Sequence, residues 1–159
     1  MNLVALAPLW LVSALFITLA AAALEDGWRL RISNLIPLAI LALAIVACAL
    51  AGPHIALWQN FALFVALLVV GTFLFSANLL GGGDVKLLAS SGLWFNLSEG
   101  WRMLVIVAIA GGLLAMLILA LRTLVPDRAY RWLPLRRKSG IPYGVAIAAG
   151  TAAAIGLMR

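Results

Sequence analysis

The chain offers five acidic residues: Glu25, Asp26, Asp84, Glu99 and Asp127. Asp84 directly follows Gly81, Gly82 and Gly83 in the stretch "LLGGGDVKLLAS", and Asp26 follows a long uncharged segment, residues 3–24. Two carboxylates held close cannot both ionise easily, so one pKa rises and the pair shares a proton. One member can then act as general base on a water while the other, protonated, polarises a peptide carbonyl. That chemistry is aspartyl proteolysis, and it needs no thiol, imidazole or metal. The chain has one cysteine, Cys48, and one histidine, His54. This removes zinc clusters, disulfide frameworks and CxxC redox chemistry. Two carboxylates without histidine also make a poor transition-metal site, so no metal or other cofactor is expected. Cys48, in "AIVACAL", reads as a packing residue and His54 as a solvated loop residue.

The elements that must position these acids are membrane spans. Of 159 residues 66% are apolar and 10% charged, against about 25% charged in an ordinary soluble domain. Apolar runs near the length of a span recur along the chain and are continuous rather than alternating. They indicate an all-α polytopic membrane protein, a single domain over residues 1–159, and not a β-barrel. Spans are expected at residues 3–24, 35–51, 61–78, 103–121 and 141–158, with Pro8 kinking the first or sitting near its start. The first is read as a retained span: it lacks a basic leading region and is too long for a signal-peptide core. Polar segments are expected at 25–34 and at 52–60, the latter opened by Gly52-Pro53. Residues 84–97 form a short helical candidate of about 21 Å, less than the roughly 30 Å hydrocarbon core.

Charge decides whether that short segment crosses. If it does, six spans place Arg29, Arg31, Lys86, Arg122, Arg128, Arg131, Arg136, Arg137 and Lys138 on one side and only Arg102 and Arg159 on the other. This asymmetry is what the positive-inside rule requires, with the N-terminus outside. Without the fourth crossing the asymmetry largely disappears. The expectation is therefore a bundle of about six transmembrane helices, the fourth short and preceded by a glycine-rich break. Asp26 and Asp84 then lie at cytoplasmic ends, whereas Glu99 falls outside and Asp127 lies in a basic loop. His54 falls on the face opposite both aspartates, so a Ser-His triad is excluded. Gly81 and Gly83 are expected to loosen the backbone, permit close approach of another chain and open a water-accessible cavity with Asp84 at its edge.

These features are similar to those of a known family. Gly81-Gly82-Gly83-Asp84 fits the GxGD motif of intramembrane aspartyl proteases, and "GGGDVKLLASSGLW" resembles its prepilin peptidase version. Asp26, Ile32 and Asn34 have the spacing of that family's first acid and its Ile-Pro-Asn, which selects Asp26 over Glu25. The stretch "IPYGVAIAAG" resembles its closing motif. Ser33 stands where the family has proline, and Gly27-Trp28 where more polar residues are common. The resemblance implies a membrane aspartyl endopeptidase with Asp26 and Asp84 catalytic and Gly81 and Gly83 supporting. It implies a prepilin leader as substrate, cleaved at the cytoplasmic face of a bacterial inner membrane. One cysteine and a short loop after the first span resemble the peptidase-only form associated with Flp/Tad pili, without N-methyltransferase activity.

Lys86, Asn34 and Tyr143 are candidates for substrate contact or structural support. Lys86 is read first as an interfacial anchor. The partners implied are the prepilin and the bilayer, with a homo-oligomer or pilus assembly machinery open and nucleic acid not expected. The basic loop is assigned to anionic lipid. Two other functional classes use the same residues: a small proton- or cation-coupled transporter with a discontinuous helix, and a noncatalytic assembly subunit. A transporter wants its acid near the midplane, whereas these acids are expected at one face.

Overall fold

A computed structural model describes residues 3–52, 57–124 and 140–158. The described residues form a polytopic helical bundle without a strand. Its helices are α1 (Leu3–Leu6), α2 (Leu9–Arg29), α3 (Leu35–Ala51), α4 (Leu57–Ser76), α5 (Gly82–Gly92), α6 (Leu97–Leu124) and α7 (Tyr143–Met158). By length and composition α2, α4 and α6 can each cross a membrane, and α3 and α7 are shorter apolar helices. His54, Asp127 and most of the basic loop lie outside the described residues.

Local chemistry sets the boundaries. Pro8 caps the start of α2 rather than kinking a longer helix, as its fixed φ and missing N–H allow at a first turn. At its other end α2 continues through residues 25–29, which read as loop in the sequence. No breaker interrupts it there, and Glu25 and Arg29 pair one turn apart at 3.8 Å. The helix stops at Leu30, whose φ of 52° is left-handed and whose N–H donates to the Asp26 carbonyl at 2.9 Å. α3 occupies the expected range and closes at Gly52, with φ of 80°.

The glycine cluster departs from expectation. Gly81 is extended, at φ −73° and ψ 144°, and Gly82 and Gly83 already lie in the first turn of α5. The left-handed residue before them is Asn78, with φ of 58°. α5 is therefore shifted toward the glycines, and its 11 residues extend only about 16 Å. It does not cross a membrane alone. Trp94 and Phe95, both fully buried, make the turn into α6. That helix opens with the Asn96 side chain accepting the Glu99 N–H at 2.8 Å.

In a bilayer, helices associate by close packing rather than by hydrophobic transfer, so small residues matter at contacts. α7 packs between α2 and α6. It turns Gly144, Ala148, Thr151 and Ala154 inward, and a Cβ at Gly150 would lie 2.7 Å from the Val107 backbone. α5 packs on α4 and α3. Gly71 admits Val85, and Gly92 admits Leu67. The far end of α5 is tied down by three hydrogen bonds. Trp94 Nε1–H donates to the Ile40 carbonyl at 3.3 Å, Asn60 Nδ2–H to the Leu93 carbonyl at 3.0 Å, and the Leu3 N–H to the Trp94 carbonyl at 3.1 Å. With that end fixed, the start of α5 is delivered beside the end of α2.

Candidate active site

Asp26 sits one turn before the end of α2 on its inward side and is only 4% exposed. It continues the inward row of Leu11, Leu15, Leu19 and Ala22, which recurs at helical spacing. The start of α7 lies against it. The backbone amides of Gly144 and Val145 face its carboxyl group, whose Oδ2 is buried without a hydrogen-bond partner. A Cβ at Gly144 would stand 2.8 Å from Asp26 Oδ2 and 2.9 Å from Cγ. Only glycine lets α7 approach the acid so closely.

Asp84 occupies the first turn of α5. Its neighbours must be small for steric reasons. A Cβ at Gly81 would lie 2.8 Å from Asp84 Oδ2, and one at Gly83 would lie 3.1 Å from Ile32 Cβ and 3.4 Å from the Ile32 carbonyl oxygen. Gly82 is looser, with its nearest neighbour the Phe75 ring at 3.4 Å. The cluster thus brings α5 against the segment between α2 and α3. Of the uses expected of these glycines, close approach and the lining of a cavity are seen, whereas the backbone is not loosened: Gly82 and Gly83 are helical and none of the three has positive φ.

Asp26 and Asp84 line one cavity of about 360 Å³. Leu30, Arg31, Ile32 and Asn34 complete one wall and the three glycines the other. α3 and α5 begin at this cavity, and the start of α7 lies against Asp26. Each helix start carries roughly half a positive charge on its unpaired N–H groups. Such an end favours negative charge near it, and Arg31 in the wall of the cavity does the same. Chemically the arrangement can hold a water between carboxyl groups of different protonation and polarise a carbonyl placed beside it.

Glu25, the neighbouring acid, points elsewhere. Its carboxylate accepts the Ser33 N–H at 3.0 Å and pairs with Arg29. Ser33 Oγ in turn accepts the Leu35 N–H at 3.3 Å and so caps α3. A proline at position 33 would have no N–H to give, so the serine and Glu25 are matched to each other. Lys86 Nζ donates to Asn34 Oδ1 at 2.8 Å, joining α5 to the start of α3 beside the cavity. Tyr143 opens α7 and is 37% exposed, and it does not line the cavity. Its neighbours Gly144 and Val145 are the α7 residues that face Asp26. Sequence reasoning missed Gly144 and used Arg31 only as a topological charge. The glycine after "IPY" and the arginine between the first acid and Asn34 were the available signals.

Neither a curated protein nor a solved structure matches the chain. A family model does: residues 13–121 match the type IV leader peptidase family. The match takes in both aspartates, the short connection between α2 and α3, and all of α5. A membrane-spanning bundle in which two acids from separate helices line one cavity is the setting in which that match falls, and the chain belongs to the type IV leader peptidase family, proteases that act on prepilins.

Proposed function

We propose that the chain is an aspartyl endopeptidase that cleaves prepilin leaders with Asp26 and Asp84. One carboxylate removes a proton from water, and the resulting hydroxide attacks the scissile carbonyl carbon. The other carboxyl group donates its proton to the carbonyl oxygen. The tetrahedral intermediate collapses as a proton passes to the leaving amine and the C–N bond breaks. The pair titrates as a unit, so acid and base are roles of the dyad rather than of either residue. Gly81, Gly83 and Gly144 support the site by allowing three backbones to close on it.

The observation that carries this reading is the shared cavity: Asp26 from α2 and Asp84 from α5 line one space, whereas Glu25 is engaged with Ser33. The substrate proposed is a Flp/Tad-like prepilin. The connection between α2 and α3 is residues 30–34 and holds no cysteine, which favours a peptidase without paired CxxC motifs or methyl transfer. Residues 1–159 act as one domain in a bacterial inner membrane, with the cavity facing the cytoplasm, where the basic side chains gather.

The test is cleavage of a co-expressed prepilin. Asp26→Asn and Asp84→Asn each abolish cleavage at unchanged protein level, while Glu25→Gln, which keeps an acceptor for the Ser33 N–H, is nearly silent. Full cleavage by either aspartate variant sinks the proposal.

A further inference from the structure

Beside the catalytic cavity lies a second space, an apolar groove of about 300 Å³. Leu38 and Leu41 of α3 form one wall, Phe64 and Leu68 of α4 the other, and Ala89 and Ser90 of α5 the floor. It exists because α3 and α4 both pack on α5 and scarcely on each other, and because the floor residues are small. Asn34 lines both the groove and the catalytic cavity, and its hydrogen-bond partner Lys86 also lines the groove. The two spaces therefore meet at the Asn34–Lys86 bridge.

The direction of the groove follows from residue order. From Asn34 to Leu41 along α3, and from Asp84 to Ser90 along α5, the lining runs away from the acids. Leu41 lies seven positions after Asn34, which caps α3, a rise of about 10 Å. Leu38 at 59% exposed and Leu68 at 37% form an open rim, which faces hydrocarbon in a membrane. A chain with its scissile bond at the acids and an apolar stretch beyond it would continue down this groove without a turn. An amphipathic or apolar helix laid in an apolar groove is a standard mode of peptide recognition.

Resting on the peptidase reading, we infer that the α3–α4–α5 groove is the docking site for the first two turns of the substrate's own apolar, membrane-inserted segment, which it holds in line with the catalytic cavity. The Asn34–Lys86 bridge marks the point where the polar part of the substrate gives way to the apolar part.

The experiment compares two synthetic substrates of the purified full chain in liposomes. One carries the leader junction followed by a 20-residue apolar segment, and the other the same junction with that segment deleted. Leu38→Trp and Leu68→Trp fill the groove from its rim, and Ile109→Trp, on the exposed side of α6, is the control. The groove variants lower the ratio of kcat/KM for the long over the short substrate at least tenfold, and Ile109→Trp leaves that ratio unchanged. An unchanged ratio in the groove variants, as for a groove that holds only a lipid chain, overturns the inference. So does an equal fall in Ile109→Trp. Should the tryptophan variants fail to fold, a photoreactive phenylalanine analogue at Leu38 or Leu68 in Asp84→Asn protein crosslinks the apolar segment of the long substrate. Crosslinking to lipid alone overturns the proposal. Wild-type protein that cleaves neither substrate removes the peptidase reading itself, a separate failure.

Discussion

Gly144 is where a single methyl group should have the largest effect. Its added Cβ would meet the Asp26 carboxyl group at 2.8 Å, and the side chain can yield only by leaving its place in the cavity. Displacing a reacting group by about 1 Å can cost on the order of 100-fold in rate. Gly144→Ala is therefore expected to lower cleavage roughly 10- to 100-fold while the protein still accumulates in the membrane. Gly83→Ala, which presses on Ile32 at 3.1 Å, should fall in the same direction, and Gly82→Ala, at ordinary contact distance from Phe75, should keep most activity. Prepilin cleavage assays on the three membranes check this order. Equal loss in all three would mean that glycine content, not closeness to the two acids, governs the site. None of this ranking was legible in "GGGD", because a run of glycines does not state which of them a neighbouring backbone will approach.

At the scale of elements, the short segment between α2 and α3 does most of the positioning. It carries Ile32 against α5, Asn34 against Lys86, and Ser33 against Glu25. A typical hydrogen bond contributes about 1 kcal/mol net. Ser33→Pro removes both the N–H given to Glu25 and the Oγ that caps α3, so it should destabilise the protein by about 1–2 kcal/mol. The effect is read as a lower unfolding midpoint in detergent. In a Glu25→Ala background one of those two bonds is already gone, so the same substitution should cost less. Additive losses would separate Ser33 from Glu25. The range of α3 was readable directly, because an apolar run is bounded by Asn34 and by Gly52-Pro53. The last turns of α2 were not readable. Residues 25–29 are polar, and only the packing of α7 against Asp26 gives a polar turn a reason to face inward. The same holds for α5, whose glycines read as a breaker and instead form its first turn.

For the whole molecule, the sequence already implied that both acids lie at one end, since positive charge and the count of apolar runs agree on it. What it could not contain was the approach of α7 to Asp26 and of α5 to the α2–α3 connection, or a groove left between α3 and α4. Both arise from which helices touch, and apolar residues alone do not encode that. The proposed six-crossing arrangement makes a measurable claim. In a Cys48→Ala background, single cysteines at Arg29→Cys and Arg122→Cys should react with an impermeant maleimide only from the cytoplasmic side. Arg102→Cys should react only from the opposite side. Labelling of positions 29 and 122 from different sides would end the arrangement.

The length of α6 has a consequence for how a bond is chosen. Arg102 and Arg122 stand twenty residues apart on this one helix, a rise of about 30 Å, which equals the thickness of the hydrocarbon slab. Arg122 also donates to the Gly140 carbonyl at 3.1 Å, just ahead of the turn that meets Asp26. In the proposed six-crossing arrangement the helix would act as a ruler and set the cavity of the two acids at headgroup height. On the proposed function, a peptide anchored in the same lipid would hang from the same datum, so its depth alone would present the right bond, and little side-chain reading of the leader would be required.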